Sequence, residues 1–220
     1  MPLGAIRDFM STHYLHFNAR ELVEAAKAYE VHVEEGGKML VAIAGAMSTG
    51  ELGISLARMI RAEKVHAISC TGANLEEDIF NLVAGREYET IPSWRDLSAT
   101  DELRLYENGM NRVTDTCIPE TVMRHIEGRL LEVWKCAAAM EERKLPSEFL
   151  FEILSDPGLR SHFHNGTSDS WVLAAKEAGV PIYVPGWEDS TTGNIFAANV
   201  MMGNLPDHSC VKSGTEQFQS

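Results

Sequence analysis

The sequence predicts a doubly wound α/β fold: a mostly parallel sheet with helices on both faces. Three observations predict it. Residues 39–44 (MLVAIA) and 65–69 (VHAIS) are short, almost wholly apolar runs, the composition of strands covered on both faces of a parallel sheet. Each run leads into a turn of small and hydroxylated residues and then into a helical period, first at 45–50 and again at 71–74. Residues 181–184 (PIYV) supply a third strand after another helical segment, and this alternation implies right-handed crossovers. Three strands make a thin sheet, since about five or six are usual. A chain of 220 residues is long enough to bury a core, and residues 1–220 read as one domain.

Taken in order, the elements have local causes. Asn18 and Glu21 have the N-cap to N3 spacing of a capping box, and Leu22, Ala25, Ala26, Tyr29 and Val33 recur at helical intervals. Gly36 and Gly37 end that helix. Ser48 and Glu51 repeat the capping spacing ahead of Leu52, Leu56, Met59 and Ile60, and Asn74 with Glu77 repeat it once more. Residues 85–111 carry charges and Pro92 and read as an excursion off the sheet. Pro119 suits the first position of a helix running through Val122, His125, Ile126, Leu130, Val133 and Trp134. Residues 146–154 add a short helix. The polar turn 162–170 leads into a helix over 171–178 that Gly179 closes. Ser213 and Glu216 have capping spacing at the start of a last helix.

Composition limits the partners. Hydrophobic residues at 45% and charged residues at 23% are ordinary for a soluble globular protein. The net charge of −13 argues against nucleic acid and anionic membrane and is compatible with a cationic ligand. Cys70, Cys117, Cys136 and Cys210 are scattered without a C-x-x-C pair, as expected of reduced thiols. No apolar run approaches the roughly 20 residues of a membrane span. The opening MPLGAIRDFM lacks the pattern of a signal peptide, so the expected location is cytoplasmic.

Both strand-to-helix turns open on the carboxyl edge of the sheet, where free N–H groups at helix N-termini can receive a phosphate. Ser48, Thr49 and Gly50 form the first turn, and Thr71, Gly72, Ala73 and Asn74 the second. Neither matches the G-x-G-x-x-G fingerprint, and plain capping would leave the same residues. Their pairing on adjacent strands favours a nucleotide. Glu76, Glu77 and Asp78 follow at once; they repel phosphate and suit a cationic substrate beside a cofactor, with Asp78 read as structural. Asp189 lies in the turn after the third strand, where an acid meets a ribose or a substrate amine, or merely helps cap a helix. His162 and His164 alternate in a loop, but no carboxylate or cysteine cluster completes a metal site, and no metal is expected. Neither a G-x-S-x-G elbow nor a Walker lysine motif is present.

The stretches HFNARELVEAAKAYE, EGGKMLVAIAGAMSTGELGISLARMI, KVHAISCTGANLEEDIFNLVA, HNGTSDSWVLAAKEAGVPIYVPGWEDSTTGNIF and HSCVKSGTEQ resemble the deoxyhypusine synthase family, specifically its bacterial deoxyhypusine synthase-like branch. The resemblance implies a Rossmann-like fold and a homotetramer of dimers with active sites at the dimer interface. It implies a transferase that uses NAD to oxidise spermidine, a polyamine, transiently to an imine. An enzyme lysine captures the aminobutyl group and passes it to an acceptor, which is a protein lysine in deoxyhypusine synthase proper and a small diamine in homospermidine synthases. Carried over by motif, Ser48, Thr49, Thr71, Gly72, Ala73, Glu77 and Asp189 would hold NAD. Glu76 and Glu77 would face the polyamine, as would Asn194, at a position where eukaryotic members carry an acid. The family's later Trp-Gly-Lys segment with its nucleophile does not occur in these residues. The resemblance therefore leaves the catalytic lysine unassigned and leads one to expect a fragment, a split gene product or a truncated paralogue. The competing reading is a non-catalytic subunit that binds NAD and supports a complete partner.

Overall fold

The computed structural model describes residues 4–164 and 166–220. Asn165, within the polar turn, and the first three residues of the N-terminal segment lie outside the described residues. Backbone contacts divide the chain into two units, one ending at Met39 and the other spanning Leu40–Ser220. The first unit holds α1 (Ala5–His13) and α2 (Phe17–Glu34), joined by the Arg7–Glu30 ion pair at 2.9 Å. Neither helix has a buried residue. The expected box at Asn18 and Glu21 does not form: α2 starts two residues earlier, with His16 as its N-cap and no side-chain cap. Gly36 ends the segment at φ +88°, a conformation that glycine adopts without strain.

The second unit runs β1 (Leu40–Ile43), α3 (Gly53–Arg61), β2 (Ala67–Cys70), α4 (Gly72–Ala84), β3 (Glu89–Thr90), α5 (Ala99–Glu107), β4 (Met110–Val113), β5 (Thr116–Pro119), α6 (Glu127–Ala139), α7 (Pro146–Ile153), α8 (Pro157–Arg160), α9 (Trp171–Ala178), β6 (Ile182–Tyr183), α10 (Thr191–Met201) and α11 (Gly214–Gln217). The three apolar runs form the expected parallel sheet, in the order β1-β2-β6, with Ile43 opposite Cys70 and Ile68 opposite Ile182. The fold is thus mixed α/β with a small parallel sheet. Helices α3 and α9 pack together, α4 meets α10, and α6 meets α7. The core between them includes Ile60, Ile68, Ile79, Leu130, Trp134, Phe149, Trp171 and Leu173.

Two expectations need correction. The excursion at 85–111 contains β3 and the first half of β4, which pair antiparallel with β5 in a second sheet, β3-β5-β4. Pro119 closes β5 instead of opening a helix, and a 3₁₀ stretch (Glu120–His125) separates it from α6. The helix over 171–178 and its closure by Gly179, at φ 67°, stand as expected. So does the Ser213–Glu216 capping box. Beyond β6, the Gln217 side chain takes the place of a strand: its Oε1 accepts from the Val184 N–H at 2.7 Å and its Nε2 donates to the Val184 carbonyl at 3.0 Å.

Candidate functional site

The turns that follow β1, β2 and β6 are tied together by side chains from the first two turns of α4. Asn74 is the first tie. Its Oδ1 accepts from the N–H groups of Met47 and Ser48, at 2.9 and 3.0 Å, while its Nδ2 donates to the Ala44 carbonyl and to Thr71 Oγ1. Ser48 Oγ donates to the Asn74 carbonyl at 2.7 Å and accepts from Trp171 Nε1 at 3.0 Å. These bonds hold a turn in which two non-glycine residues, Ala46 and Glu51, occupy left-handed backbone at φ 62° and 56°. Such conformations persist only where the surroundings over-determine them.

The three acids each serve a different element. Glu76, 3% exposed, accepts from the Thr191 and Thr192 N–H groups at 3.0 and 2.8 Å, and so neutralises the positive end of α10. Glu77 accepts from the Thr49 N–H at 3.2 Å and from the Thr49 hydroxyl. Burial pushes the Glu77 carboxyl above its ordinary value; the Thr49 bonds pull it down, and the Glu76 charge adds to the rise. Asp78 is buried and accepts from Ser170 Oγ at 2.5 Å and from the N–H groups of Trp171 and Val172 at 3.3 and 3.1 Å. Asp78 therefore caps α9, together with Ser170, whose Oγ accepts from the Leu173 N–H. Burial raises the Asp78 carboxyl to about 6 against those hydrogen bonds.

The expected capping boxes at Ser48/Glu51 and Asn74/Glu77 do not form. Thr71 is the N-cap of α4, accepting from the Asn74 N–H, and α3 begins at Gly53 with no side-chain cap. The backbones approach closely here. A Cβ on Gly72 would lie 2.5 Å from Ser190 Cβ, and one on Gly193 would lie 2.4 Å from the Trp187 carbonyl oxygen.

The structure thus brings Ser48, Thr49, Thr71, Gly72, Glu76 and Glu77 together at the carboxyl end of the parallel sheet, with Ala73 beside them in α4. Asp189 is exposed on the β6–α10 turn and Asn194 is exposed in the first turn of α10. The lining of the site is divided. Glu76 and Glu77 face a cavity of about 170 Å³, walled by Phe80, Ile118 and Val122 and completed by Glu120. Asn194 faces a separate cavity of about 470 Å³. A third, of about 240 Å³, is lined by Ser48, Asp78 and Ser170. Sequence reasoning missed Glu120, because its contribution depends on the antiparallel sheet, and missed the role of Asn74, whose spacing to Glu77 imitates a cap. Tyr88 was also passed over. Its hydroxyl is buried with no hydrogen-bond partner among the described residues, and burial, with Glu77 and Asp78 nearby, raises its pKa.

The two histidines of the polar turn part company: His162 packs on His125 with ring centroids 4.8 Å apart, while His164 Nδ1 lies 3.9 Å from Glu87. Among the described residues no group of three or more His, Cys, Asp or Glu side chains is arranged to hold a metal.

Residues 8–208 match the family model for deoxyhypusine synthase. The chain belongs to the deoxyhypusine synthase family. A deoxyhypusine synthase-like protein of Elusimicrobium minutum is 26% identical over 199 residues, covering 90% of this chain and 49% of that protein. A second, from a Cyanothece strain, is 28% identical over 203 residues, covering 91% and 49%. A protein described as a probable deoxyhypusine synthase 2 from Archaeoglobus fulgidus is 28% identical over 179 residues, covering 80% of this chain and 55% of its own length. The chain thus spans about half the length of these deoxyhypusine synthase relatives. A crystal structure assigned as a deoxyhypusine synthase from Entamoeba histolytica superposes with a TM-score of 0.52 at 13% identity, covering 83% of this chain and 53% of that one, which establishes similarity of fold. Among the described residues no helix is long and apolar enough to cross a membrane.

Proposed function

We propose that this chain carries the NAD- and polyamine-binding part of a deoxyhypusine synthase-type aminobutyl transferase, acting on spermidine or a similar polyamine in the cytoplasm. The observation that carries the reading is the cavity that Glu76, Glu77 and Glu120 line together with apolar Phe80, Ile118 and Val122. Methylene spacers bury against Phe80, Ile118 and Val122, while ammonium groups meet the acids. Glu76 keeps capacity for a further donor, because a carboxylate has about four acceptor positions and two are used by α10. In this reading the parallel sheet is the Rossmann-like, doubly wound half of a larger assembly of the homotetrameric type.

The residues fit NAD in part. Thr71 is exposed at the N-terminus of the 13-residue α4, whose opening N–H groups at Gly72 and Ala73 can receive a phosphate, and Asp189 is exposed where a ribose hydroxyl would donate. Ser48 and Thr49 support the fit indirectly, since their side chains are occupied by Asn74, Trp171 and Glu77. NAD, when bound, supplies the hydride acceptor for amine oxidation. The residues named here bind and orient; Glu77 holds the amine's positive charge beside the β1 turn. Asp189→Ala and Thr71→Val are expected to weaken NAD binding by about 1–3 kcal/mol each without unfolding, checked by calorimetry with thermal melts of the same samples. Unchanged affinity in both would return these turns to a purely structural role.

Glu77→Gln is expected to weaken spermidine binding at least tenfold. The pH dependence has a definite sign: protonation removes the attraction, so affinity falls with acidity, and because the Glu77 carboxyl is raised the loss begins above the usual glutamate range. Titration calorimetry with spermidine between pH 8 and 4.5 tests this, and a flat profile in the parent chain would refute the assignment.

A second reading, a subunit that binds but does not turn over, is favoured by one observation. None of the seven lysines of the chain is buried, whereas an amine nucleophile needs a desolvated setting to be present as free base. Assay of aminobutyl transfer by the chain alone separates the two.

A further inference from the structure

Histidines join the two walls of the cavity that Glu76 and Glu77 face. One wall is α4, which carries Glu76, Glu77 and Phe80; the other is the 3₁₀ stretch Glu120–His125, which carries Glu120, Val122 and Met123. Two residues of the polar turn reach both. The His164 N–H donates to the Leu82 carbonyl of α4 at 2.7 Å, and the His162 ring packs on His125, the last residue of the 3₁₀ stretch, with centroids 4.8 Å apart. The His125 carbonyl also accepts from Arg129 Nη1 at 2.6 Å. The 3₁₀ stretch has no side-chain cap, so these contacts, with the buried Ile126 beyond them, hold its end.

Charge limits how many protons these rings accept. Glu87 lies 3.9 Å from His164 Nδ1, which is buried and has no hydrogen-bond partner among the described residues, so a proton there gains a carboxylate partner. Asp156 is taken by Arg129, at 2.6 Å. Further protons on the His125–His162 pair therefore meet like charge. Burial holds the His125 imidazole below its ordinary 6.5, and the charges of His162, Arg129 and His164 lower it further against the pull of Glu87. His162 is exposed and exchanges protons freely with solvent. We propose that the His125–His162 contact is a proton-operated clasp on the 3₁₀ wall of the cavity: neutral rings pack and hold the wall to the polar turn, and charged rings release it. His125 takes up its proton later in the folded than in the unfolded chain. Its contribution to stability is thus complete above pH 6.5 and is lost as pH falls through the folded value.

The clasp is tested on the full chain without NAD or spermidine, so its failure is distinct from failure of the transfer reading. Hydrogen exchange of the amides of residues 121–126 is followed at pH 7.5 and 5.5, with rates corrected for intrinsic exchange. In the parent these amides are expected to exchange at least about threefold faster at pH 5.5. His162→Phe and His125→Phe keep a ring and remove the charge, and should abolish that increase. Because His162 is exposed, its variant is expected to melt with the parent at pH 7.5. Imidazole titration by NMR gives a second readout: His125 should titrate below 6.5 in the parent and move upward in His162→Phe. No increase in the parent, an equal increase in both phenylalanine variants, or a His125 value unmoved by His162→Phe would each overturn the proposal.

Discussion

Replacing Asp78 with alanine is expected to destabilise the chain by about 2–4 kcal/mol, visible as a lower denaturant midpoint with an unchanged slope. The carboxylate is buried and accepts from Ser170 Oγ and from the N–H groups of Trp171 and Val172. Alanine would leave those donors without their protein partner at the start of α9, where residues 171–175 are all buried. Relief from burying a charged carboxylate offsets part of the loss. The pH dependence of that relief separates Asp78 from a neutral substitute. Its folded pKa of about 6 lies above the ordinary 3.8, so the native state binds the extra proton first. The contribution of Asp78 is therefore complete below pH 3.8 and lost as pH rises through 6. The stability difference between the parent and Asp78→Asn should thus move in the parent's favour as pH falls from 7 to 4. A difference that is constant over this range would show that Asp78 does not titrate there.

Gly72→Ala should cost about 3 kcal/mol, the upper end of what overpacking does. The new Cβ would sit 2.5 Å from Ser190 Cβ, 2.8 Å from its Oγ and 3.3 Å from Trp187 Cα. Ser190 cannot step aside cheaply: its Oγ donates to the Trp187 carbonyl at 2.5 Å and accepts from the Gly193 N–H at 3.1 Å, so its movement would uncap α10. Gly128→Ala is the contrasting variant. It lies in α6 with nothing within 4 Å of a Cβ, and should stabilise by about 0.5–1 kcal/mol through helix propensity alone. Similar effects for both variants, measured by denaturant melts, would contradict the close approach of the β2 and β6 turns.

The parts of the fold that were legible in the sequence are those whose cause is local. The apolar runs bounded by turn formers do become β1, β2 and β6, and the covered strands β2 and β6 need no alternation, whereas β1, at the sheet edge, leaves Leu40 and Ala42 exposed. Gly179 at the end of α9 and Ser213 with Glu216 at α11 are likewise decided within a few residues. The antiparallel sheet was not legible. Its strands, MNRV and TCIP, neither alternate nor run apolar, and they are fixed by pairing with each other.

The candidate site divides along the same line. The sequence by itself determined which residues gather at the carboxyl edge of the sheet, since hydroxylated turns and an acidic run after a strand can only open there. Only the tertiary structure decided what each acid does. A glutamate or aspartate in the first turns of a helix satisfies any N–H within reach, and a three-residue spacing cannot say whose. Asn74 holds the β1 turn, Glu76 caps α10 and Asp78 caps α9, each bonding across 26 to 116 positions of sequence.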